Sequence, residues 1–237
     1  MYERILVPLD GSELAQIALP YAEKLAWALG SQIILIYVSE SDEDKYQHMH
    51  QFYLRQMIET AKRDGEAYQD RQGLGTIRVD SAILVGDPAE EIVEYAGKQD
   101  SGLIVMSTHG RSGIKRWAMG SIADKVLRAT KQPISLIRAK GARPDTLGER
   151  TLLSKILVAL DGSKESEAVI PYIEELAFGE ILHSHVHHNT GSDHAGSHAA
   201  VKRLYFFSIF IKRKIAYLHK LLLFPNINFF ILENRHL

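Results

Sequence analysis

The sequence predicts an α/β fold: a doubly wound five-stranded parallel sheet, strand order 3-2-1-4-5, with helices on both faces and an incomplete second copy behind it. Three observations carry that expectation. Short apolar runs alternate five times with longer helix-periodic stretches before residue 140, and parallel strands joined this way require crossover helices. The apolar runs lack polar alternation, as strands buried on both faces do. The opening of the chain then recurs after residue 150, which marks an internal repeat.

The first strand is Arg4 to Asp10, too short for a helix and ending in Asp-Gly-Ser. Ser12 suits a helix N-cap. Leu14, Ile17, Ala18, Tyr21, Ala22, Leu25, Ala26 and Leu29 follow at helical spacing, with Gly30 as the stop. Pro20 lies inside that pattern and is expected to kink the helix or move its start. Gln32 to Val38 is the second strand, and residues 39 to 46 read as a polar loop. A long helix is expected from about Tyr46 to Arg71, with Phe52, Leu54, Met57, Ile58 and Ala61 facing inward and Gly73 and Gly75 ending it. Ile77 to Leu84 is the third strand. Gly86-Asp87-Pro88 is a turn that puts proline at the first helical position, and Ala89, Ile92, Val93 and Ala96 form the buried stripe of that helix. Leu103 to Met106 is the fourth strand. Ile122, Ala123, Val126 and Leu127 give the next helix its apolar face, and Pro133 to Ile137 is the fifth strand.

Residues 1–140 thus form one domain, and a Gly- and Pro-containing linker spans 141–153. A second domain begins over 154–180. Ile156 to Ser163 matches Ile5 to Ser12 with one change, Ala159 for Pro8, and Pro171-Tyr172 and Leu176-Ala177 match Pro20-Tyr21 and Leu25-Ala26 at the same offset. From 181 to 237 the pattern is lost, and the tail is expected to be a truncated or frame-shifted remainder. Its six histidines between 183 and 198 lack a scaffold that would give a metal site geometry. The Lys- and Phe-rich residues 201–220 carry no clear amphipathic stripe.

Composition narrows the function. A formal net charge of −1 gives no general reason to expect nucleic acid or an anionic membrane as partner. With no cysteine, disulfides and thiol catalysis are excluded. The amino terminus runs straight into a strand, no stretch reaches 18 uninterrupted apolar residues, and a cytoplasmic location is expected.

The informative stretch follows the fourth strand: Ser107-Thr108-His109-Gly110-Arg111-Ser112-Gly113-Ile114-Lys115-Arg116-Trp117-Ala118-Met119-Gly120-Ser121. A strand, a glycine-rich basic loop and a helix start form an anion cradle, because glycines admit a close backbone approach and helix-start N–H groups attract anions. The run Gly-x4-Gly-Lys-Ser/Thr of P-loop proteins is missing. So is Gly-x-Gly-x-x-Gly after the first strand, where Asp10-Gly11-Ser12 stands. With strand order 3-2-1-4-5 the winding reverses between the first and fourth strands, so Asp10 and the loop share one crevice.

In these residues the sequence resembles the universal stress proteins, an adenine nucleotide α-hydrolase-like fold. Their nucleotide-binding members carry Gly-x2-Gly-x9-Gly-Ser/Thr after the fourth strand and an Asp at the end of the first. Here nine residues separate Gly110 from Gly120, Ser121 follows, and Ser107 stands at the first glycine position. The resemblance covers residues 3–139 and again 154–178. It implies binding of ATP, or of AMP or ADP, with Mg2+ held through the phosphates. Asp10 and the Val38 backbone would contact the adenosine end, and Pro8 and Leu9 would line the same pocket. Met106, Ser107, His109, Gly110, Arg111, Gly113, Gly120, Ser121, Ile122 and Ala123 would surround the ribose and phosphates. It also implies a homodimer through the fifth-strand region, residues 133–139, and a regulatory role in stress with slow hydrolysis at most. Two alternatives stay open: an interaction module that binds no nucleotide, and an ATP hydrolase, for which His109 has no visible orienting partner.

Overall fold

The computed structural model describes residues 1–40, 44–72, 77–110, 119–138, 164–176 and 230–231. Among them the parallel strands are β1 (Arg4–Leu9), β2 (Gln32–Ser39), β3 (Val79–Val85), β4 (Leu103–Ser107) and β5 (Ile134–Ile137). They lie side by side in the order β3-β2-β1-β4-β5, as expected, and all neighbouring pairs among them are parallel. A short strand not foreseen from sequence, β6 (Phe230–Ile231), adds to the outer edge of β5, antiparallel, with Ile134 opposite Ile231 and Ser135 opposite Phe230.

The helices form two layers because the chain winds outward from β1 in one direction and then reverses. In the first half, α1 (Glu13–Gln16), α2 (Ala18–Leu29) and α3 (Asp44–Gln72) cover one face. Ile5, Val7, Leu9, Leu35, Tyr37, Leu103 and Val105 point into that layer, against Leu25, Leu54 and Ala61. The alternate residues Leu6, Ile34, Ile36, Ile104 and Met106 point the other way, against α4 (Pro88–Lys98) and α5 (Ser121–Ala129). Period-two alternation thus splits one set of apolar strands into two cores.

Local chemistry sets the element ends. The single expected helix after β1 breaks at Ile17 into α1 and α2, and Pro20 falls in the first turn of α2, where its missing N–H costs no helical bond. Gly30 closes α2 in the left-handed conformation at φ 67°, which carries little penalty only for glycine. Ser12 caps α1 by accepting from the Ala15 N–H, and Asp87 caps α4 by accepting from the Ala89 and Glu90 N–H groups. Those two N–H bonds, Glu90 first, hold the Asp87 carboxyl below its usual range.

One core expectation is corrected. Phe52 does not face inward on α3; it is 62% exposed, and Tyr53 turns inward instead. Leu54, Met57, Ile58 and Ala61 define the helical stripe, and Tyr53 lies four residues before Met57 on that stripe, whereas Phe52 is rotated off it.

After the linker come α6 (Lys164–Glu167), whose Lys164 and Glu167 are exposed, and helical residues 170–176, whose Ile173 and Leu176 pack into the first domain's α2–α3 layer. The histidine cluster and residues 201–220 lie outside the described residues, as do Lys115, Arg116 and the repeated stretch Ile156 to Ser163.

Candidate functional site

At the carboxyl end of β1, Asp10 begins a tight turn. Its Oδ1 accepts both the Ser12 backbone N–H, at 2.9 Å, and the Ser12 hydroxyl, at 2.6 Å. Gly11 between them has φ 85°, a conformation that glycine adopts without strain. The other carboxylate oxygen is directed at the loop after β4. A Cβ placed on Gly110 would collide with Asp10 Oδ2 and lie 3.2 Å from its Cγ. The absence of a side chain at 110 therefore lets the fourth-strand loop reach the first-strand carboxylate. The two motif residues, far apart in sequence, meet at the point where the winding reverses.

The loop start is held by its own polar groups. The Ser107 hydroxyl accepts the His109 N–H at 3.3 Å, and the Thr108 hydroxyl lies 2.9 Å from His109 Nδ1. Ser107 is buried and has no positive φ, so its backbone does not demand the glycine that the family motif carries there. On the far side of the loop, Gly120 donates its N–H to the Thr108 carbonyl at 2.8 Å, and a Cβ on Gly120 would stand 3.0 Å from that same oxygen. Gly120 is the N-cap of α5 and supplies no side-chain cap, unlike Ser12 and Asp87. The first turn of α5 thus presents Ser121 and Ile122 at the surface and Ala123 in the core, with helix-start N–H groups that no capping side chain covers among the described residues.

The expected site residues divide between the two faces of the sheet. Met106 and Ala123 are buried in the α4–α5 layer, Val38 packs against them, and Pro8 is buried in β1. Leu9 belongs to the opposite α2–α3 layer, so only its backbone adjoins the crevice. Asp10, Ser107, His109, Gly110, Gly120, Ser121 and Ile122 gather at the strand ends and the α5 start. Arg111 and Gly113 lie outside the described residues.

An aromatic group behind Asp10 went unnoticed in the sequence. Tyr37 of β2 stacks on His50 of α3, ring centroids 4.0 Å apart and 26° between planes, and meets Tyr53 edge-on at 6.1 Å. The Tyr53 hydroxyl accepts from Gln16 Nε2 at 3.3 Å and from the Gly11 N–H, so α3 supports the Asp10 turn from behind. Burial pushes the Tyr53 hydroxyl's pKa up, and the Asp10 carboxylate adds to it. The period of α3 offered a signal, since His50, Tyr53 and Met57 share a helix face.

A doubly wound parallel sheet in which the end of β1 meets the start of the loop after β4 at the switch point defines a class of α/β proteins. The family model for the Universal stress protein family matches residues 1–138, and the chain belongs to that family. A universal stress protein of Methanocaldococcus jannaschii is 26% identical over 159 residues, covering 60% of this chain and 98% of the relative. One of Thermus aquaticus is 29% identical over 139 residues, covering 58% and 100%. A solved universal stress protein from Archaeoglobus fulgidus, in complex with dAMP, is 20% identical and covers 57% of this chain and 98% of that one, with a TM-score of 0.46. Among the described residues no helix is long and apolar enough to cross a membrane.

Proposed function

We propose that this universal stress protein binds an adenine nucleotide, ATP with AMP or ADP as alternatives, in the crevice between β1 and β4, and acts in the cytoplasm as a stress-response regulatory module. The observation that carries the reading is the approach of Gly110 to the Asp10 carboxylate, which a Cβ at 110 would push aside. In this reading the Asp10 carboxylate would accept ribose hydroxyls, which a carboxylate binds well. The adenine ring would lie against Pro8, Val38 and Met106, beside the α4–α5 core. The phosphates would take the N–H groups of Ser121, Ile122 and Ala123, with Arg111 and Gly113 nearby in sequence.

Magnesium fits this arrangement only through the phosphates, because no group of three potential metal-ligating side chains occurs among the described residues; bound there, it would neutralise phosphate charge. Binding is favoured over hydrolysis by what Asp10 already does. Its Oδ1 is committed to the Ser12 turn, and His109 Nδ1 lies 2.9 Å from the Thr108 hydroxyl.

Calorimetry with ATP and Mg2+ tests the proposal. Wild type should bind, Gly120→Val should not, since its side chain meets the Thr108 carbonyl and covers the helix start, and Asp10→Ala should weaken binding more than tenfold. A wild-type protein that binds no adenine nucleotide refutes the reading and leaves the interaction module. Turnover well above background that Asp10→Ala abolishes would make the protein an enzyme.

A further inference from the structure

The second repeat's helix keeps the residues that a sheet-covering helix needs. Aligned on the matching Asp-Gly-Ser, the inward stripe of α2, Ala18, Tyr21, Ala22 and Leu25, corresponds to Val169, Tyr172, Ile173 and Leu176. In the first copy that stripe covers β1 and β4. In the second copy it is buried as well, but on the first copy: Leu176 is 1% and Ile173 6% exposed, within the cluster that holds Tyr2, Ile5 and Leu25, and Val169 and Tyr172 pack against it.

Specific polar contacts fix the register. The Tyr2 hydroxyl donates to the Tyr172 carbonyl at 3.0 Å, and the two rings meet edge-on at 6.2 Å and 66°. The Met1 ammonium pairs with Glu175 at 2.9 Å. Tyr2 is itself 2% exposed; burial, then Glu175 and Tyr172, raise its hydroxyl's pKa far above the usual range. A buried tyrosine hydroxyl needs a partner, and this one finds it in the second repeat.

We propose that the face of the first domain around Tyr2 is a docking surface for an amphipathic helix of the second-repeat type, and that residues 169–176 occupy it in cis as part of the first domain's fold. The second repeat's helix lays its stripe on the first domain's apolar layer. The surface selects an aliphatic and aromatic stripe with an acidic residue three positions beyond the tyrosine, opposite the ammonium.

The test uses the full chain with a site-specific protease sequence inserted within residues 141–153. After cleavage the two fragments should co-elute, one copy of each, at micromolar concentration. Separation of the fragments overturns the proposal, and an assembly of two and two overturns docking in cis in favour of exchange between chains. Hydrogen exchange on the uncut chain supplies a second readout. Amides of residues 170–176 should be protected, and Leu176→Asp should speed their exchange on the order of a hundredfold while β1 and β4 stay protected. Fast exchange of 170–176 in the wild type, or unchanged protection in Leu176→Asp, refutes it.

Discussion

Replacing Glu23 by glutamine should change how stability depends on pH, and by a large amount. Glu23 lies on α2 facing α3; it is 1% exposed, and neither carboxyl oxygen has a hydrogen-bond partner among the described residues. Burial, with Asp64 adding its charge, raises its pKa from the ordinary 4.5 to about 8. The folded protein therefore holds a proton there that the unfolded chain releases above pH 4.5, so stability falls as pH rises between those values. The slope is about 1.4 kcal/mol per pH unit, and over the whole span the loss reaches about 5 kcal/mol. That is comparable to the full stability of many domains. Glutamine imitates the protonated acid in size and cannot ionise. Urea unfolding of wild type and Glu23→Gln at a series of pH values from 4.5 to 8.5 isolates this group, because other titrations cancel in the difference. The two proteins should differ by a constant near pH 4.5, and the variant should gain several kcal/mol on wild type by pH 8. A difference that stays flat with pH, or that grows toward acid, refutes the assignment of a neutral buried acid.

Three further outcomes follow from the site and the sheet edge. Gly110→Ala places a methyl group against the Asp10 carboxylate and should weaken ATP binding at least tenfold, about 1.4 kcal/mol, with thermal melting showing that the fold persists. Tyr53→Phe removes the hydroxyl that accepts the Gly11 N–H and should raise the nucleotide Kd about 2- to 10-fold, the worth of one hydrogen bond; an unchanged Kd by calorimetry would show that the Asp10 turn holds without it. The fifth-strand edge, where the family resemblance implies dimerisation, is paired with β6 at Ile134 and Ser135. A chain ending before residue 230 leaves that edge open and should self-associate more strongly in sedimentation velocity than the full chain, since unpaired edge strands recruit partners.

The strand order, the two helical layers and the meeting of Asp10 with the fourth-strand loop were legible because each rests on local pattern. Apolar runs without alternation mark parallel strands, and the reversal of winding follows from their connections. The role of Ser107 was not legible: its hydroxyl accepts the His109 N–H across the bend, a contact made by the loop's path and not by spacing. Phe52 misled because a weakly periodic helix of 29 residues admits more than one stripe, and only packing against Tyr37 shows that Tyr53 and His50 face inward. Docking of residues 170–176 was equally hidden. The stripe was visible in the repeat, but what it covers depends on a surface at the opposite end of the sequence.

The bare start of α5 has an evolutionary reading. Gly120 has φ −60° and ψ 147°, angles open to any residue, so nothing torsional reserves the position for glycine, and only the Thr108 carbonyl stands in the way of a side chain. Serine or aspartate at 120 would supply the missing cap and strengthen the helix by about 1 kcal/mol, less what the squeeze against Thr108 costs. The same oxygen would occupy the N–H groups that the proposed nucleotide site assigns to phosphate. On the proposed function, selection for heat resistance alone, with no demand for nucleotide, should therefore drift toward capping residues at this position wherever the cap outweighs the squeeze, at the expense of nucleotide binding.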